Sequence, residues 1–89
     1  MRISEFLYLV LVICFKFDCS VTSWIRTKKH NRNIGGKKGS LHTLGLAVDI
    51  VLDNPDKRED LLEFCHENVL HYYIEPDHIH IQTRPGKVN

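Results

Sequence analysis

The five residues His78-Ile79-His80-Ile81-Gln82 alternate polar and apolar with a strict period of two. That pattern allows little besides a β-strand with two unlike faces. Successive side chains on a strand point to opposite sides, so Ile79 and Ile81 are expected in a core and His78 and His80 together on the other face. A second strand is read at Ala47–Leu52 (AVDIVL), where Val48, Ile50 and Leu52 alternate with Ala47, Asp49 and Val51. Between them Asn54-Pro55 breaks the chain. Pro55 can open a helix, with Asn54 or Asp53 as its cap. Leu61, Leu62, Cys65 and Val69 follow at helical spacing, which predicts an amphipathic helix over 56–70. A short strand over 72–74 and a turn at Glu75-Pro76 lead into the alternating run.

The first half is read in the same way. Residues 19–25 (CSVTSWI) are β-branched and aromatic and read as a strand. Residues 26–40 form a long polar loop carrying Gly35-Gly36 and Gly39. Residues 3–16 read as an apolar helix capped by Ser4 and packed on a sheet through Ile3, Phe6, Leu7, Val10 and Ile13. The order helix, strand, loop, strand, helix, strand, strand predicts an α+β fold, a small mainly antiparallel sheet with helices packed against it. The chain of 89 residues is read as one domain, 1–89.

Composition excludes some functions. Twelve basic and eleven acidic residues leave a net charge of +1, which gives no footprint for nucleic acid. The basic residues cluster between Arg26 and Lys38, in the polar loop. The apolar run over 7–15 has the length of a secretory signal's hydrophobic region and is too short to span a bilayer. Glu5 precedes the run and Lys16-Phe17-Asp18 follows it, with no small-residue cleavage site. A retained helix is therefore the expectation, with no stable membrane anchor and a monomeric protein. Cys14, Cys19 and Cys65 are irregularly spaced and form no CxxC pair. They read as small apolar side chains, with one pairing as a minor option.

Two histidines on one strand face are the beginning of a metal site, although alternating polar residues also mark an ordinary solvent face. Asp49 sharpens the choice. It is the one charged residue in an apolar strand, where aspartate is disfavoured and costly to bury without a partner. His42 precedes it by seven residues, at the mouth of the strand. Two nitrogens and one oxygen would leave a fourth zinc position open, the arrangement of a catalytic rather than a structural site. Spacing alone does not decide which of His78 and His80 is the ligand. Asp77, three residues before His80, is a candidate general base. His78 is a candidate for stabilising a tetrahedral intermediate or shuttling a proton.

The ten residues Ser40-Leu41-His42-Thr43-Leu44-Gly45-Leu46-Ala47-Val48-Asp49 fit S-x-H-x-x-G-x-A-x-D. This resembles the first metal motif of the zinc D-alanyl-D-alanine carboxypeptidases, in the C-terminal domain typical of peptidase family M15, subfamily A. Phage L-alanyl-D-glutamate endopeptidases and the hedgehog fold are its relatives. Asp77-His78-Ile79-His80 resembles the family's second motif. Ser23, Arg26, Asn31 and Gly35-Gly36 match its lead-in S-x-x-R-x-x-x-x-N-x-x-x-G-G, with Trp24 and Ile25 where the family has glycine and an aromatic residue. The resemblance covers 19–82 and implies a hedgehog/DD-peptidase-like fold.

The resemblance further implies that His42, Asp49 and His80 hold Zn2+, with Asp77 at the position of the acidic base and His78 at that of an extra active-site histidine. It implies that Arg26 binds substrate or the developing oxyanion, and that Ser40 touches substrate. Gly45 would permit a tight backbone, and Ala47 would leave room beside the ligands. The implied activity is hydrolysis of a peptide bond in peptidoglycan stem peptides, of carboxypeptidase or endopeptidase type, at the cell wall. The alternative is a metal-containing cell-wall-binding module of the same fold without turnover.

Overall fold

A computed structural model describes residues 1–25, 28–34 and 41–84. The helix α1 spans Ile3–Phe17, followed by β1 (Cys19–Ser23), the short α2 (Lys28–Asn33), β2 (Ala47–Leu52), α3 (Arg58–Glu67), β3 (His71–Ile74) and β4 (Ile79–Gln82). The four strands form one sheet in the order β1-β2-β4-β3, every neighbouring pair antiparallel. The α+β expectation holds.

The two central strands explain the architecture. In β2 and β4, Val48 lies opposite Ile81 and Ile50 opposite Ile79, and all four are buried. They meet Phe6, Val10, Ile13 and Phe17 of α1 and Leu61 and Cys65 of α3 in one core. The helices therefore cover one face of the sheet. The intervening residues Ala47, Asp49, His80 and Gln82 are also buried, on the opposite face. Asp49 thus lies on a central strand, not on a solvated edge.

Several boundaries differ from the sequence reading. The N-cap of α1 is Arg2, whose backbone N–H faces Glu5 Oε1 at 3.4 Å; Ser4 falls inside the first turn. Ile3 and Leu7 are 48% and 44% exposed rather than core residues, and Leu11 and Phe15 on the outer side are more exposed still. The polar loop contains the helix α2, which no apolar periodicity announces. Asn54 is the cap at Pro55: its Oδ1 accepts from the Asp56 backbone N–H at 3.0 Å, opening a 3-10 turn before α3. That helix ends at Glu67, not at residue 70. Val69 lies beyond it with φ 57 and is 71% exposed, so it does not belong to the buried stripe. The Leu70 N–H then donates to Cys65 O at 2.8 Å, turning the chain into β3. His71 consequently begins a strand instead of closing a helix.

Candidate metal centre

His42 sits in the 3-10 turn Leu41–Leu44 just ahead of β2 and is completely buried. Gly45 makes that turn possible. Its φ is +71, a left-handed conformation that glycine adopts without penalty. A Cβ there would stand 2.6 Å from Ile3 Cδ1 of α1. Trp24, just past β1, holds the turn at two points. Its indole N–H donates to Gly45 O at 3.0 Å, and its carbonyl accepts from His42 Nδ1 at 2.8 Å. The Trp24 ring packs edge-on against Phe6 at 6.1 Å, so it serves as a core anchor.

Asp49 and His80 are cross-strand partners of β2 and β4. This register brings Asp49 Oδ1 to 2.8 Å from His80 Nδ1. The same oxygen is 3.3 Å from His42 Nε2. One ligand atom from each of His42, Asp49 and His80 falls within 4.8 Å of the others.

Hydrogen-bond chemistry fixes what those atoms can do. A carbonyl oxygen only accepts, so His42 Nδ1 carries the proton it gives to Trp24 O, and in the neutral ring Nε2 keeps its lone pair. On the other side, Gln82 Nε2 donates to Arg84 O at 2.7 Å, which leaves Gln82 Oε1 facing His80 Nε2 at 2.7 Å. His80 Nε2–H is then the donor, and Nδ1 carries the lone pair. Two neutral imidazoles thus aim lone pairs at a carboxylate oxygen inside a buried space. Such a set repels itself unless a cation or extra protons intervene. The donor set is that of a divalent ion bound by two histidines and one carboxylate, with each ring fixed from behind by a backbone or amide oxygen. The three residues therefore fit a metal ion.

With the two rings protonated, the other way of relieving that repulsion, burial still pushes the Asp49 carboxyl up, but hydrogen bonds from His42 and His80 and their charge outweigh it and hold the group well below the usual carboxylate range. The site is built for a permanent anion.

His78 lies immediately before β4 with Nε2 3.8 Å from Asp49 Oδ1, on the ligand side of the sheet. Its other nitrogen, Nδ1, pairs with Asp77 Oδ1 at 2.7 Å. The hydrogen bond to His78, and then that ring's charge, hold the Asp77 carboxyl below its ordinary value. The Asp77 side chain is 87% exposed and reaches the centre through His78. Of the ligand and acid–base candidates, His42, Asp49, Asp77, His78 and His80 are thus brought together. Arg26 and Ser40 lie outside the described residues. Gln82 and the Trp24 carbonyl have no counterpart in the sequence reading. The one available signal for Gln82 was its place on the same strand face, two residues beyond His80.

No curated protein and no solved structure matches the chain. A match to the peptidase M15 family runs over residues 13–82, most of the chain, and encloses every residue that forms the centre. This chain therefore belongs to the peptidase M15 family.

Proposed function

We propose that this protein is a zinc peptidase that hydrolyses a peptide bond in peptidoglycan stem peptides at the cell wall. The observation that carries the reading is the convergence of His42 Nε2, Asp49 Oδ1 and His80 Nδ1, each oriented as a ligand by the hydrogen bond behind it. When bound to these three residues, zinc supplies Lewis acidity towards water and towards a scissile carbonyl.

The remaining work falls to the chain's own side chains. Asp77 and His78 act as a pair. The hydrogen bond at His78 Nδ1 fixes that ring and leaves Nε2 towards the centre. A proton leaving the attacking water passes to this pair and is returned to the departing amine. Arg26 follows Trp24 in sequence, and the Trp24 carbonyl holds His42. In this reading its guanidinium takes a substrate carboxylate or the developing oxyanion with two parallel hydrogen bonds. Ser40, two residues before His42, contacts substrate.

Zinc-loaded protein incubated with purified peptidoglycan should release fragments whose masses identify one cleaved bond type. Protein that retains stoichiometric zinc yet releases no fragment would instead be a binding module. Absence of any stoichiometric divalent metal after purification without chelator would sink both readings.

A further inference from the structure

We propose that Cys14 and Cys19 are a disulfide-forming pair that ties the last turn of α1 to the first residue of β1. The three cysteines of the chain are all thiols in this structure. Cys65 is buried in α3 and belongs to the core. The other two are neighbours: Cys14 Sγ and Cys19 Sγ are 3.8 Å apart. A disulfide needs about 2.0 Å, so the two sulfurs are already neighbours and have only to approach further to bond.

The corner that brings them together is preformed. Asp18, the C-cap of α1, has φ 51 and turns the chain from helix to strand within one residue. Its carbonyl accepts from the Asp53 N–H at 2.9 Å, and its carboxylate is ion-paired with Lys57. Helix end, strand start and the segment after β2 are thus held at one point. Cys14 is half-buried and Cys19 is buried, so Cys14 is the thiol that an oxidant reaches first. Burial, together with Cys14 and the carboxylates of Asp53 and Asp18, pushes the Cys19 thiol up to about 12. This also makes Cys19 the second, resolving thiol.

With a low-molecular-weight disulfide as oxidant, the chemistry balances. The Cys14 thiolate attacks one sulfur of oxidised glutathione and releases one glutathione thiolate. Cys19, on losing its proton, attacks the Cys14 sulfur of the mixed disulfide and releases the second. Two protein thiols are oxidised and one glutathione disulfide is reduced to two thiols. The product clamps β1, the edge strand that positions the site. Its Thr22 hydroxyl donates to Asp49 O at 3.3 Å, and Trp24 beyond it supplies the carbonyl that orients His42.

The test uses the full native chain and does not depend on metal or peptidase activity. The protein is exposed to oxidised glutathione, quenched in acid, alkylated under denaturing conditions and digested with trypsin. Lys16 lies between the two cysteines, so cleavage there separates them unless they are bonded. We expect the peptides 3–16 and 17–26 to appear joined, two hydrogens lighter than their sum, with Cys65 alkylated. The oxidised protein should melt about 5–15 °C higher than the reduced one, as a short closed loop permits. A glutathione adduct that persists on Cys14 without closing, full alkylation of all three thiols, or a bridge to Cys65 would each overturn the pairing. A closed bridge with an unchanged melting temperature would overturn the clamp.

Discussion

Replacing Gln82 by Met should weaken metal binding without touching a metal ligand. Gln82 is 2% exposed and bridges two groups: Oε1 accepts from His80 Nε2–H at 2.7 Å, and Nε2 donates to Arg84 O at 2.7 Å. Methionine nearly matches its volume but offers His80 no comparable acceptor. A buried N–H left in that state costs about 1–3 kcal/mol. His80 can escape the cost by moving its proton to Nδ1, where Asp49 Oδ1 waits at 2.8 Å. That escape stabilises the metal-free protein and occupies the nitrogen that should bind the ion. Losing an outer partner of this kind costs about 10–100-fold in metal affinity, or about 1.4–2.7 kcal/mol. Competition for zinc against a chromophoric chelator, well below the melting temperature, measures the loss directly. Nitrogen-15 spectra of the metal-free proteins should place the His80 proton on Nε2 in the wild type and on Nδ1 in the variant. A folded Gln82→Met protein with unchanged zinc affinity would refute the tautomer reasoning.

Four further outcomes are expected. Asp49→Ala should lose metal and turnover together, whereas Asp77→Ala should keep the metal and lose about 10²–10⁴ in kcat; metal analysis beside a peptidoglycan assay separates the two. Gly45→Ala should destabilise the fold by about 1–3 kcal/mol in urea unfolding, because an L side chain at φ +71 is strained and its Cβ meets Ile3. Val69→Gly should do the reverse, gaining about 1 kcal/mol, since a β-branched residue at φ 57 that is 71% exposed loses little packing on truncation. Burial raises the Cys65 thiol from 9.0 to about 12. Its unfolded form therefore binds fewer protons across that interval, and stability falls with rising pH by up to about 1.4 kcal/mol per unit. Cys65→Ala should show a flatter decline over the same range, and an identical slope would contradict the shift.

Much of this centre was legible because period-two alternation is a strong constraint. Once Ile79 and Ile81 are assigned to the core, His80 must face the other way, and Val48 and Ile50 do the same for Asp49. What escaped the reading has physical causes. Gln82 satisfies the alternation as any polar residue would, and its role depends on the carbonyl of Arg84, which no pattern encodes. The Trp24 carbonyl is backbone and has no side-chain signature. Val69 fits the helical spacing of Leu61 and Cys65, yet the helix has already ended, and a left-handed valine is among the least expected ways to end one. Cys14 and Cys19 are separated by a helix end and a left-handed aspartate, so their closeness appears only in three dimensions.

The same two strands build the core and the metal centre, and this couples the site to the stability of the fold. A one-residue slip between β2 and β4 would disrupt the facing of Asp49 and His80 and break the Val48–Ile81 and Ile50–Ile79 pairs at the same time. The hydrophobic face therefore enforces the register that the ligands need, at no separate cost to the site. His42 is the exception, because it reaches the centre from a 3-10 turn rather than from a strand. Its position rests on Gly45, on the two Trp24 contacts and, through Ile3, on α1. The turn that carries His42, and not the strand pair, is thus the part of the centre that changes in the N-terminal helix should disturb first.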